Sequence, residues 1–159
     1  MTDERNQHGD VMRGSRDWFL QELVRMANDH PDAVALPVTL SVKGLLVSGV
    51  LVSGKAYFEG FANTLATAVT NVSDDSRWRI REMFAQYADL YKKDRGSPVA
   101  QAPRDAPEFI HLGDAQFFIG SNLIPTGQKV WWRGRIAEVD GFILGVLGAP
   151  RPQRVSPAV

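Results

Sequence analysis

Apolar residues recur along this chain with two different periods. Between residues 15 and 29, Phe19, Leu20, Leu23, Val24 and Ala27 return every three to four positions, with Gln21, Glu22 and Arg25 on the other side. That is the stripe of a helix with one buried face. Ser15 is placed to cap its start, and Asp17 falls in the first turn near the positive end of the helix dipole. Asn28-Asp29-His30-Pro31 ends it, because a residue before proline avoids the α region. From 36 to 52 the period drops to two. Val38, Leu40 and Val42 alternate with Pro37, Thr39 and Ser41, Lys43-Gly44 supplies a turn, and Leu45 to Val52 returns as the second arm of a hairpin. Gly49 within that arm marks a bulge or a close backbone approach.

The helical period resumes over 54–70, behind Ser53 as cap, with Phe58, Phe61, Ala62, Leu65 and Val69. It resumes again over 76–93, behind Asp75 or Ser76, with Ile80, Phe84, Tyr87 and Tyr91 on one stripe. Gly96, Ser97, Pro98, Pro103 and Pro107 make 94–107 a flexible loop. Residues 108–147 read as three strands: Phe109 to Ile119 with a bulge at Gly113-Asp114, then a loop over 120–128, then Val130 to Val139, an Asp140-Gly141 hairpin turn, and Phe142 to Leu147. Residues 1–14 and the proline-rich 148–159 read as disordered tails around a single domain, 15–147. Strands joined by hairpins, not by helical crossovers, predict an α+β fold. It has an antiparallel sheet of about five strands with the three helices packed mainly on one face.

Composition narrows the function. The 159 residues carry 18 Lys and Arg against 18 Asp and Glu, for a net charge of zero. Such a balance offers nothing to nucleic acid or to an anionic membrane, and it leaves self-association unopposed by net repulsion. There is no cysteine, so disulfides, thiol catalysis and cysteine metal sites are excluded. The polar N-terminus lacks the apolar core of a secretory signal, and the runs 45–52 and 142–147 are far short of the ~20 residues of a membrane span. The expected setting is cytoplasmic.

Little in the chain carries catalytic chemistry. His8, His30 and His111 are scattered, with no metal-ligand spacing. No serine stands in a nucleophile elbow. Gly49, followed by four residues and Gly54-Lys55, imitates a phosphate loop, but Ala56 replaces the hydroxyl that would bind magnesium. No catalytic, cofactor or metal set is expected. The most distinctive segment is Val130-Trp131-Trp132-Arg133-Gly134-Arg135. Adjacent strand residues point to opposite faces, so one tryptophan is expected in the core and the other outward beside arginines, unless a helix or tail covers it. Arg77, Arg79 and Arg81 crowd the start of the third helix, where cations oppose the dipole, and so ask for another reason to be there. The candidate interaction surface is therefore Trp131, Trp132, Arg133, Arg135, Arg77 and Arg81. The alternative is a small ligand- or nucleic-acid-binding module, using His111, Glu138, Ser53 and Lys55 for a ligand or the Trp–Arg strand for single-stranded RNA.

Several segments, in order, resemble the gas vesicle accessory protein GvpU family. They are Leu36-Pro-Val-Thr-Leu-Ser-Val-Lys-Gly-Leu-Leu-Val-Ser-Gly, Tyr57-Phe58, Phe109-Ile-His-Leu-Gly-Asp-Ala, and Trp132-Arg-Gly-Arg-Ile-Ala-Glu-Val-Asp-Gly-Phe. The likeness runs from about residue 17 to 147. It implies a non-enzymatic cytoplasmic accessory protein, acting in gas vesicle assembly or in the clustering of vesicles. The partners it implies are the vesicle shell or other accessory proteins, and it brings no catalytic residues with it.

Overall fold

The computed structural model describes residues 17–91, 106–120, 122–128 and 130–147. The expected tails, nearly all of the expected loop and the Ser15 cap lie outside the described residues. Helix α1 spans Trp18–Asp29. Asp17, expected within the first turn, is instead the cap, because its carboxylate accepts from the backbone N–H groups of Phe19 and Leu20 at 2.9 and 3.0 Å. Strands β1 (Leu36–Val42) and β2 (Leu45–Val52) form the expected hairpin, with Leu40 opposite Val47. Helix α2 spans Gly54–Ala68, and Ser53 Oγ caps it by accepting from Ala56 N at 3.0 Å. Helix α3 starts earlier than expected, at Asp74, with Ser73 as cap; it ends at Ala85 and a 3₁₀ segment, Gln86–Tyr91, completes it. The early start has an electrostatic reason. It places Asp74 and Asp75 in the first turn, where the dipole favours them and where Arg77 and Arg79 can pair with them.

The remaining strands are β3 (Phe109–Ile119), β4 (Asn122–Ile124), β5 (Val130–Arg135) and β6 (Gly141–Leu144). All pairings are antiparallel, in a six-stranded sheet. β2 lies along one side of β3; β4 and β5 share the other, and β6 pairs with β1 at the far edge. The fold is α+β, with one strand more than expected because residues 122–124, read as loop, turn back against Phe117 to Ile119. The bulge falls where the sequence places it. Asp114 adopts a positive φ of 53°, and the register slips between Ser48 and Val50 on β2. Gly49 lies opposite, where a Cβ would sit 2.9 Å from the carbonyl oxygen of Gly113, so only glycine fits.

Two expectations need correction. Asp140-Gly141 does not form a hairpin, because β5 and β6 do not pair. Instead Asp140 N donates to Ser41 O at 2.8 Å and its carboxylate accepts from Lys43 N at 2.6 Å, docking this dipeptide on the β1–β2 turn. A 3₁₀ turn, Ile136–Glu138, replaces the end of the expected strand 130–139. The link it belongs to joins opposite corners of the sheet. Arg135 pairs with Phe109 at the start of β3, while Gly141 pairs with Ser41 near the end of β1. In a flat sheet those corners would lie on the order of 30 Å apart, yet the linking residues, which include the 3₁₀ turn Ile136–Glu138, reach only about 16 Å. The sheet is therefore curled. Ile136 is buried in the same core as Leu40, Val47 and Leu112, so the sheet curls towards that face.

The helices divide between the faces. Leu20, Val24 and Ala27 of α1 pack into the concave side with Val38, Leu40, Leu51, Ile110 and Leu112. α2 covers the convex side, where Tyr57 and Phe58 meet His111, and α3 packs on α2. Packing mainly on one face was expected from strands joined by hairpins and not by helical crossovers. Here Tyr57, Phe58 and Phe61 on α2 demand burial as strongly as the α1 stripe does.

Candidate interaction surface

Strand parity places the two tryptophans as expected, on opposite faces, but neither is left open. Trp132 lies opposite Leu112 and packs against the concave core, half-buried. Trp131 is half-buried beneath α2. Its ring closes on Gly60, where a Cβ would lie 2.0 Å away, its Nε1 donates to Thr64 Oγ1 at 3.2 Å, and Tyr57 meets it edge-on. Of the two alternatives the covering helix is the one realised: both rings join sheet to core or helix. The glycine and the threonine on α2 are what receive Trp131.

β5 does leave Arg133 and Arg135 exposed. The Arg133 guanidinium lies 3.5 Å from the centre of the Phe109 ring. Below it, His111 is fully buried among Tyr57, Phe58 and Tyr91, and neither ring nitrogen has a partner. Burial lowers its pKa to about 4, and the charge of Arg133 adds to the effect. Burial also raises the pKa of Tyr57 and Tyr91, against the opposing pull of Arg133. His111 is a neutral aromatic brace here.

The other candidates for ligand chemistry are each engaged structurally. Ser53 caps α2, and Lys55 pairs with Glu59 at 3.3 Å along the same helix. The N–H of Gly54 is taken by Asn28 Oδ1 at 2.9 Å. Glu138 pairs with Lys43 at the β1–β2 turn; the hydrogen bond from Lys43 lowers its pKa and raises that of the lysine. His111 and Glu138 therefore serve different ends of the sheet. Among the described residues, no group of three or more His, Cys, Asp or Glu could hold a metal ion, and no helix is long and apolar enough to cross a membrane.

Arg77 and Arg81 are brought together one turn apart on α3, facing α2. Arg77 reaches Asp74 at 3.9 Å and donates to the carbonyl of Ala66 at 3.3 Å. Arg81 donates to Asn63 Oδ1 at 2.7 Å and also pairs with Glu82. These residues, with Thr67 and Trp78, line an open groove of about 300 Å³ between the two helices. Trp78 is 59% exposed beside them. It is not among the residues expected from the sequence, although a signal was present. Two residues before Ile80, it lies about 200° round the helix from the stripe that packs inward.

A family model described as gas vesicle protein GvpU-like matches residues 17–147. This chain belongs to that family. No curated protein and no solved structure matches it. The match takes in every described element of the GvpU-like chain, from α1 to β6, and makes it a gas vesicle-related protein. The α2–α3 groove and the arginines of β5 thus belong to the part of the GvpU-like protein that defines its family.

Proposed function

We propose that this protein is a non-enzymatic accessory factor in the cytoplasm that acts in gas vesicle assembly or clustering by binding the vesicle shell or other accessory proteins. The observation that supports this reading is the α2–α3 groove, where an exposed Trp78 stands beside Arg77 and Arg81. Tryptophan and arginine dominate the energetics of protein interfaces, and a shallow groove between helices suits a protein surface more than an enclosed substrate. Arg133 and Arg135 extend the proposed surface along β5. Trp131 supports it from beneath, while Trp132 anchors β5 in the core on the other face.

Flotation tests this directly. Purified gas vesicles rise on centrifugation, while free protein stays below. The protein is expected to float with vesicles, and Trp78→Ala or an Arg77→Ala, Arg81→Ala pair should weaken that association by about 2 kcal/mol, some thirtyfold, without changing the fold. Protein left wholly in the subnatant would remove the shell as partner. Flotation unaffected by these substitutions would remove the groove as the contact.

A further inference from the structure

We infer that this chain forms a two-fold dimer by antiparallel pairing of β6 with the β6 of a second copy. Among the described residues, β6 pairs only with β1 and ends the sheet. Proteins usually guard such an edge with lysine, proline or another charge. This one carries Gly141-Phe142-Ile143-Leu144, and no charged residue or proline occurs from Gly141 to Ala149. Ile143 is 56% and Leu144 65% exposed, on opposite faces of the strand. Beside them Phe142 packs at 5.9 Å, tilted, against Phe19, which in turn meets Trp18, itself 70% exposed. Among the described residues the result is an unpaired strand edge with an aliphatic residue on each face and an aromatic shelf on one side.

The chain's own remaining segments are poor covers for this edge. Residues 148–159 contain Pro150, Pro152 and Pro157, and 92–105 contain Pro98 and Pro103, so neither offers an unbroken row of donors. Residues 1–16 hold Asp3, Glu4, Arg5, Asp10, Arg13 and Arg16 against few apolar residues. A second copy fits better. Its β6 supplies a strand of matching length and apolar side chains on both faces, and zero net charge removes the long-range repulsion between copies. The areas also agree. Trp18, Phe19, Ile143 and Leu144 expose on the order of 500 Å² per chain, so two copies contribute about 1,000 Å² before backbone and rim are added, the lower bound for a specific interface. Pairing about a two-fold axis closes the assembly at two chains and consumes both open edges.

Sedimentation equilibrium of the full chain, from roughly 1 to 300 µM, tests this without any vesicle component. The expected mass is twice 17.6 kDa at the upper end, falling towards one chain on dilution. Leu144→Lys should shift the midpoint at least tenfold towards monomer. Trp18→Ala, at a more exposed position that folding does not need, should do so by a smaller factor. Hydrogen exchange should show protection of β6 amides that grows with protein concentration. A chain monomeric throughout the range overturns the inference. So does a dimer that both substitutions leave intact, or one whose β6 amides exchange at the same rate at every concentration.

Discussion

Gly60 and Trp131 show how much a single side chain can decide. The indole fills the space a Cβ would need, so α2 can approach β5 only because position 60 is glycine. Gly60→Ala is expected to cost about 1–3 kcal/mol by overpacking, despite alanine's better helix propensity, and thermal unfolding would read it. His111 makes the second case at this scale. Its folded-state pKa of about 4 lies below its ordinary 6.5, so the folded state prefers the neutral ring. That contribution is complete above pH 6.5 and is lost as pH falls from 6.5 to 4, by about 3 kcal/mol in all. Urea unfolding should show this slope, and His111→Phe should flatten it. A profile identical in the two proteins would place the acid sensitivity elsewhere. Both tryptophans of β5 were legible as a pair on opposite faces. Which of them was covered was not, because strand parity assigns faces and says nothing of what lies upon them.

Among the elements, the end of β6 is fastened by a short hydrogen-bond relay. Thr39 donates to Gly145 O at 2.8 Å, so its single hydroxyl proton is used, and Ser48 must donate in turn to Thr39 Oγ1 at 2.8 Å. Ser48 Oγ meanwhile accepts from Leu147 N at 2.9 Å. Ser48 is fully buried. Ser48→Ala should therefore cost about 1–3 kcal/mol, because it strands the Leu147 amide and a Thr39 lone pair, and it should speed exchange of the Leu147 amide in particular. The helices were readable one by one, since each carries its own stripe and its own cap. α2 begins where Ser53 places it. α3 begins earlier than its stripe suggested because Ser73 caps it there and Asp74 and Asp75, in its first turn, partner Arg77 and Arg79. The Asp140-Gly141 signal misled for a related reason. A turn dipeptide records local backbone preference, and here that preference serves a docking contact with Lys43 and Ser41.

At the level of the whole molecule, curling depends on the link that carries Ile136. Ile136→Ala removes a fully buried side chain where the sheet closes upon α1, and about 2–5 kcal/mol of stability is expected to go with it. The two proposed surfaces lie apart: β6 at one edge of the sheet, the α2–α3 groove over the convex face beside the other. A dimer through β6 would present two grooves, which gives bridging between vesicles a structural basis. Leu144→Lys should then float with vesicles yet fail to cluster them, while Trp78→Ala should lose both. Light scattering of vesicle suspensions would distinguish these outcomes. The sequence by itself determined the periods, the Ser53 cap, the bulge opposite Gly49, the α+β class and the family, because each rests on local backbone preference or on an ordered set of residues. Only the tertiary structure decided which strands are neighbours, which face each helix takes and which tryptophans reach the surface. Those depend on how a curled sheet brings distant edges together, and contacts across such distances leave no period in the chain.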